Sequence, residues 1–385
     1  MATENIKAWL HLYRAPGLGY VGLSRLLEYF GQVDTILRQS KFPAELQVPA
    51  SAKQYLKQCS DDDLKPVLSW LDKPDNHIIP FNDAVYPPQL KATDDPPVLL
   101  FVKGRIEALL MPQLAVVGSR RASQGGLDNS RSFCYDLAKK NWVITSGLAA
   151  GIDAAAHQAA LDAGGLTVAV MGTGINAIYP KSNQQLAKDI IAQGAVVSEF
   201  DFNTPPQATN FPRRNRIIAG LSLGTLVVEA GQKSGTLITA RLTNEINRPV
   251  MAIPGSIHNP MAKGCHWLIK QGAVLVESAD DILQELRPGM SMLSEQIRNR
   301  LQQENLPAVE NTDEQPNMES EQVLRTLELT DTQQLIMAHL GYDPTRFDDI
   351  VATVELDTAT VSADLLLLEL HGLVAKLPGT KYQKR

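Results

Sequence analysis

The chain has 385 residues, of which 44% are hydrophobic and 20% charged, and a formal net charge of −6. That length accommodates two or three domains with ample material for one sizeable core. The acidic balance excludes a global basic field, so any nucleic-acid binding has to come from a local patch. The three cysteines, Cys59, Cys134 and Cys265, are scattered without paired spacing, which argues against a disulfide framework or a zinc site and fits a reducing cytosol.

The first residues, Met1-Ala-Thr-Glu-Asn5, carry neither a basic nor an apolar signal region, and no apolar run reaches spanning length. A cytoplasmic protein with no membrane contact is expected. Residues 1–80 read as a helical domain of SAM or helix-hairpin-helix type. Ile6, Trp9, Leu10 and Leu12 suit one amphipathic helix, Pro16-Gly-Leu-Gly19 a tight turn, and Val21 to Phe30 a second helix closed by Gly31. Such a hairpin can offer amides to a DNA phosphate. Here Tyr20 and Val21 stand where a cationic donor would help, so a structural or protein-contacting module is the better reading.

From residue 81 to 286 the pattern becomes strand, small-residue turn and helix, several times over. A strand at Val98–Val102 is followed by Leu114–Val117 running into Gly118-Ser-Arg-Arg121, and by Trp142–Thr145 running into Ser146-Gly-Leu-Ala-Ala-Gly-Ile-Asp153. Leu166–Met171 leads to Gly172-Thr-Gly174, Ala195–Val197 to Ser198-Glu199, and Thr225–Val228 to Glu229-Ala-Gly231. Val250–Ile253 and Ala273–Val276 close the series. Near-continuous apolar strands alternating with helices predict a Rossmann-like α/β domain, with a mostly parallel sheet covered on both faces. Each small-residue turn follows a strand, so all gather at the carboxyl edge, where such folds bind ligands.

The densest chemistry lies at Asn210-Phe-Pro-Arg-Arg-Asn-Arg216, where Arg213, Arg214 and Arg216 crowd together, and at Lys233-Ser-Gly-Thr236, which opens a helix. Backbone amides at such a turn favour phosphate, and arginines can grip it with two donors. A single arginine here reads more simply as the partner of a nearby carboxylate. Three together beside a phosphate-type turn point to an anion site. Gly118, Ser119, Arg120, Arg121 and Lys181 add donors at the same edge, and Phe211 offers a face on which a base can stack. This set describes single-stranded nucleic acid better than a small metabolite.

Other motifs carry less. Gly172-Thr-Gly-Ile-Asn-Ala177 matches a dinucleotide fingerprint, but it sits mid-domain and Tyr179-Pro180 interrupts the helix that would hold a pyrophosphate. No P-loop is present, and no cofactor is expected. Asp153 and His157 share a helix face and form either an acid/base pair or, the better reading, a local hydrogen-bonded tie. Glu199 and Glu229 each follow a strand and are either catalytic carboxylates or partners of nearby arginines.

Residues 287–322 turn polar and acidic and read as a flexible linker, with a helix near Leu293–Leu301. Residues 323–385 have a winged-helix outline: helices at Thr332–Leu340, Phe347–Val354 and Thr358–Leu370, then a two-stranded wing. The presumptive recognition helix offers Asp357, Thr358, Thr360, Ser362 and Asp364 and no arginine or lysine, so a protein-contact role is expected in place of duplex reading.

Taken together, Val116-Val-Gly-Ser-Arg120, Ser146 to His157, Tyr179-Pro-Lys-Ser-Asn183, Phe211 to Ser222 and Ser234-Gly-Thr-Leu-Ile-Thr-Ala240 resemble the DNA-processing protein A (DprA/Smf) family. The matching motifs cover about Leu114 to Val276 in order. The resemblance implies a bacterial cytosolic homodimer that binds single-stranded DNA and loads the RecA recombinase onto it, in natural transformation and homologous recombination, without catalysis. By motif, Arg120 and Lys181 resemble ligands of the DNA backbone, with Phe211 and the arginine cluster in the same pocket; Arg216 is the cluster member that could serve the fold by bonding to carbonyls. One departure stands out: many members carry a basic residue just before the Phe-Pro motif, where this chain has Gln207 and Ala208. The competing enzymatic reading is a Rossmann-like nucleotide phosphoribohydrolase acting through Glu229 and an arginine. It needs a Pro-Gly-Gly-x-Gly-Thr-x-x-Glu turn that Ser234-Gly-Thr236 does not supply.

Overall fold

The computed structural model describes residues 3–304, 330–340, 345–354, 358–370, 373–377 and 381–384. Each apolar run in the middle of the chain forms a strand: β1 (Asn76–Pro80), β2 (Leu99–Gly104), β3 (Gln113–Val117), β4 (Val143–Ser146), β5 (Thr167–Val170), β6 (Ala195–Ser198), β7 (Thr225–Val227), β8 (Val250–Ala252) and β9 (Val274–Leu275). They join in one sheet of order β1-β2-β6-β5-β4-β3-β7-β8-β9. Pairing is parallel from β6 through to β9, and antiparallel only where β2 meets β1 and β6.

Side chains alternate across a strand, and β3 shows the consequence. Ala115 and Val117 enter one apolar cluster, and Leu114 and Val116 enter another on the opposite face. The sheet is therefore buried on both sides, as continuous apolar strands require.

The N-terminal helices, Thr3–Arg14 and Tyr20–Phe30, are not a separate module. Trp9, Leu10, Leu12 and Leu23 belong to the same apolar cluster as Phe101 and Val102 of β2. Trp9 meets Phe81 edge-on at 5.5 Å, and Tyr13 meets Phe101 at 5.8 Å. The Tyr13 hydroxyl donates to the Glu199 carbonyl at 2.7 Å. A boundary at residue 80 also assigns β1 to the helical part, although it pairs along its whole length with β2. Its sequence, Asn-His-Ile-Ile-Pro, is too short and mixed to stand out as a strand without its partner.

The stretch from residue 287, expected as flexible linker with a helix near Leu293–Leu301, contains that helix but over a longer span, which corrects the linker's start: one helix runs Ala279–Glu304, straight through Pro288. Ile282, Leu286 and Leu293 are buried in the second cluster and Ile297 packs against it. These positions hold a helical period across the proline, so packing outweighs the lost backbone hydrogen bond. The first compact unit accordingly ends at Ile297. The remainder of the expected linker, and the start of the winged helix at residue 323, lie outside the described residues.

The second unit has its own core, with Ile336, Ile350, Val361, Leu365, Leu368 and Val374 buried together. Helices Asp331–His339, Phe347–Val354 and Thr358–Leu370 accompany a sheet of order β10-β12-β11, with β10 at Thr345–Arg346 between the first two helices, and β11 at Val374–Leu377 and β12 at Lys381–Lys384 after the third. This is a winged helix, with β10 as a third strand that the sequence pattern is too short to announce. Asp364, on the helix Thr358–Leu370, is buried against Gln333 at 3.2 Å. Asp357 lies outside the described residues.

Replacing Leu293 with alanine should lower stability by about 2–5 kcal/mol, the usual effect of truncating a buried leucine. Denaturant unfolding checks this; a flexible linker would shift the midpoint hardly at all.

Candidate functional site

The strand order reverses between β3 and β7, with β4 to β6 running off one side and β8 and β9 off the other. Doubly wound sheets leave a crevice outside the carboxyl ends of the strands at that reversal. A cavity of about 680 Å³ opens there, walled by the turn after β3 (Gly118, Ser119, Arg120, Arg121), the turn after β7 (Lys233, Ser234, Gly235, Thr236), and Phe211 and Arg214 of the helix Asn210–Leu221. Ten of the fourteen residues singled out in the sequence thus come together. Lys181, Asn210, Arg213 and Arg216 are not among those lining it.

The turns are held by their own hydroxyls. Thr236 Oγ1 donates to the Gly118 carbonyl at 3.1 Å, which joins the two walls, and the Thr236 amide donates to Ser234 Oγ at 3.2 Å. That amide is therefore not free for a ligand, contrary to the simplest expectation for a phosphate turn. On the other wall, Ile152 donates its amide to the Ser119 carbonyl at 3.2 Å. Gly151, at φ +81°, lies so close to that carbonyl that a Cβ would stand 2.3 Å from it, so only glycine fits.

The arginine cluster divides, and not as its crowding suggests. Arg214 is buried and donates through Nη1 to the Gly147 carbonyl at 2.8 Å and to the Val170 carbonyl. A Cβ on Gly147 would lie 2.5 Å from its guanidinium. Burial draws its pKa down to about 10, opposed by the charge of Asp153. Arg216 ion-pairs with Glu199, which is 5% exposed, and with Asp95 at 3.5 Å. Arg213 is mostly exposed, 3.5 Å from Glu199 Oε1 and 5.8 Å from the Phe200 ring centre. The expectation that Arg216 bonds to carbonyls is thus corrected: Arg214 does so, and Arg216 meets carboxylates. Asn210 is buried at the start of the helix with no hydrogen-bond partner for Nδ2.

Among the candidate site residues, the exposed cations without an ion-pair partner are instead the scattered ones: Arg120, Arg121, Lys181 and Lys233. Arg120 lies over the Phe211 ring, 5.9 Å from its centre. Phe211 in turn sits where a Cβ on Gly172 would be, 2.7 Å from Cδ1. No helix opens directly at Gly172-Thr-Gly174, the next α-helix running Gln184–Gln193; Gly172 gives room to the aromatic ring.

The remaining candidates are internal ties. Asp153 Oδ2 accepts from the amides of Gly147 and Ala149 at 3.1 and 3.3 Å, and burial raises its pKa. His157 Nδ1 lies 2.6 Å from Thr167 Oγ1, and burial pushes its pKa down to about 3, so it stays neutral. Glu229 accepts from Ser123 N at 2.9 Å and Ser123 Oγ at 2.6 Å, and from Asn259 at 3.2 Å. Asn183 donates to the Leu148 carbonyl at 2.9 Å, linking the Tyr179-Pro-Lys-Ser-Asn183 segment to the loop that Arg214 anchors. Arg248, which gave no signal in the sequence, donates to the carbonyls of Ala219, Gly220 and Ser222 and closes the carboxyl end of the helix that carries Phe211.

Comparison with known sequences identifies the family. The family model described as DNA recombination-mediator protein A matches residues 77–287, more than half of the chain. The chain belongs to this family, DprA/Smf. A second model, the DprA winged helix domain, matches residues 320–380. Protein Smf of Escherichia coli is 45% identical over 81% of this chain and 78% of that protein. Protein Smf of Synechocystis is 35% identical over the whole of both chains. The X-ray structure of DNA processing protein A from Streptococcus pneumoniae superposes with a TM-score of 0.64 and 38% identity, covering 72% of this chain and 97% of that one.

Two outcomes separate the arginines and test the aromatic seat. Arg214→Ala should destabilise the protein by about 3 kcal/mol, because two buried carbonyls lose a charged donor; Arg120→Ala should leave the unfolding midpoint unchanged. Gly172→Ala should fold but displace the Phe211 ring, visible as a loss of the ring-current shift that Phe211 imposes on Tyr179 in NMR spectra.

Proposed function

We propose that this protein binds single-stranded DNA across the cavity mouth and acts as a recombination mediator that passes the strand to RecA. The observation that carries this reading is the placing of unpaired cations around one half-buried aromatic. Arg120, Arg121 and Lys233 surround the cavity and Lys181 stands beyond it, none held by a carboxylate. Phe211 lies under Arg120. Cations neutralise successive phosphates, and an aromatic face accepts any base, which gives binding without a sequence code. Arg214 forms the floor of this site and Arg216 its outer brace; Arg213, only loosely paired, is the cluster member able to turn to a phosphate.

Family membership supports the same reading, since relatives are named DNA processing protein DprA. Loading of RecA, a role in natural transformation, a homodimeric state and a cytoplasmic location follow from the resemblance and belong to this proposal. Among the described residues no helix is long and apolar enough to cross a membrane. The phosphoribohydrolase reading ranks lower. Glu229 does not line the cavity and is bonded to Ser123 and Asn259, and the carboxylate that does line it, Asp153, is bonded to backbone amides.

Fluorescence anisotropy of a labelled oligonucleotide across a salt series tests the proposal. Each neutralised phosphate contributes about −0.7 to the slope of log K against log salt on a single strand. Arg120→Ala/Lys181→Ala should therefore weaken binding and flatten the slope by about 1.4. Binding that ignores salt, or a slope unchanged in the double variant, would discard the reading.

A further inference from the structure

We infer that Tyr179 is a second base-stacking residue, placed outside the cavity between Phe211 and Lys181. This rests on the single-stranded DNA reading above and names a binding residue that the sequence motifs did not assign. The Tyr179 ring packs against Phe211, with centres 5.6 Å apart and planes inclined at 47°. It is 46% exposed, whereas Phe211 is half-buried at the cavity wall. Tyr179 does not line the cavity. The residue is thus held by an aromatic contact while nearly half of its surface is left open to solvent.

Isolated exposed aromatics are ordinary. The neighbours of this one are not. Arg120, Phe211 and Tyr179 form a row of successive contacts leading from the cavity to the outside. Lys181 follows Tyr179 by two residues, a separation of at most about 7 Å along the backbone. It too is exposed and outside the cavity. A strand whose phosphates meet both Arg120 and Lys181 has to pass over Phe211 and then Tyr179. The two rings already touch, so no base slides between them. The open face of Tyr179 takes the base next to the phosphate that Lys181 holds. Its contact with Phe211 fixes the ring before binding, which limits the entropy lost when a base lands on it.

The test uses the full chain, a labelled oligothymidylate and an abasic oligonucleotide of equal length. Tyr179→Ala should weaken oligothymidylate binding about 5- to 150-fold, the range for losing one stacked base, with the salt slope unchanged. Tyr179→Phe should stay within about two-fold of wild type, because the π-face is kept. The abasic strand should bind wild type and Tyr179→Ala alike. In a Phe211→Ala background, Tyr179→Ala should still weaken binding about 5-fold, which a residue that only props Phe211 would not do. The inference is overturned if Tyr179→Ala binds oligothymidylate as wild type does, if it loses the abasic strand equally, or if its effect vanishes in the Phe211→Ala background. Wild type that binds oligothymidylate with a steep salt slope while Tyr179→Ala is unaffected sinks this inference alone. Wild type that binds neither strand sinks the single-stranded DNA reading and this one with it.

Discussion

The buried guanidinium of Arg214 is the contact on which the site depends. It reaches from the helix Asn210–Leu221 to the Gly147 carbonyl, just past the end of β4, and to the Val170 carbonyl at the end of β5. Without a donor there, two carbonyls at the sheet edge would be buried unsatisfied. Burying a cation is itself unfavourable, and the lowered pKa of Arg214 registers this. The neighbouring carboxylate of Asp153, held by two amides of the same loop, offsets part of that penalty. Gly147 has no side chain because the guanidinium occupies the space a Cβ would need. The Ser-Gly-Leu-Ala-Ala-Gly-Ile-Asp loop and the arginine helix are therefore two halves of one structural joint.

That joint places Phe211 three residues earlier on the same helix, and Gly172 after β5 leaves the space into which its ring fits. Arg248 closes the other end of the helix by taking up its last carbonyls. Phe211 is thus held from both ends of its element, and in the proposed single-stranded DNA reading this limits the freedom its ring loses on binding.

The charges fall into two groups by burial. Glu199 is nearly enclosed, so its charge has to be matched inside the protein, and Arg216 matches it. Arg120, Arg121, Lys181 and Lys233 extend from turns into solvent and face no carboxylate. A chain of net charge −6 can present a cationic surface because its acids are placed elsewhere. The site sits on a body that includes the N-terminal helices, whose apolar faces complete the core on one side of the sheet.

The sequence by itself determined the α/β class, the strand series from β2 to β9 and the gathering of Gly118–Arg121 and Lys233–Thr236 at one edge. These follow from local patterns, apolar runs and small-residue turns, that any parallel sheet reads in the same way. The helix through Pro288 was hidden because a proline and a polar composition mask an apolar stripe that has meaning only against its packing partner. The division of the arginines was hidden for a related reason. Crowding along the chain says which charges are near one another, whereas the partners that absorb them, Gly147, Val170, Glu199 and Asp95, come from distant positions. Only the tertiary structure decides which cations are consumed by the fold and which remain for a ligand, because that depends on what is buried beside each one.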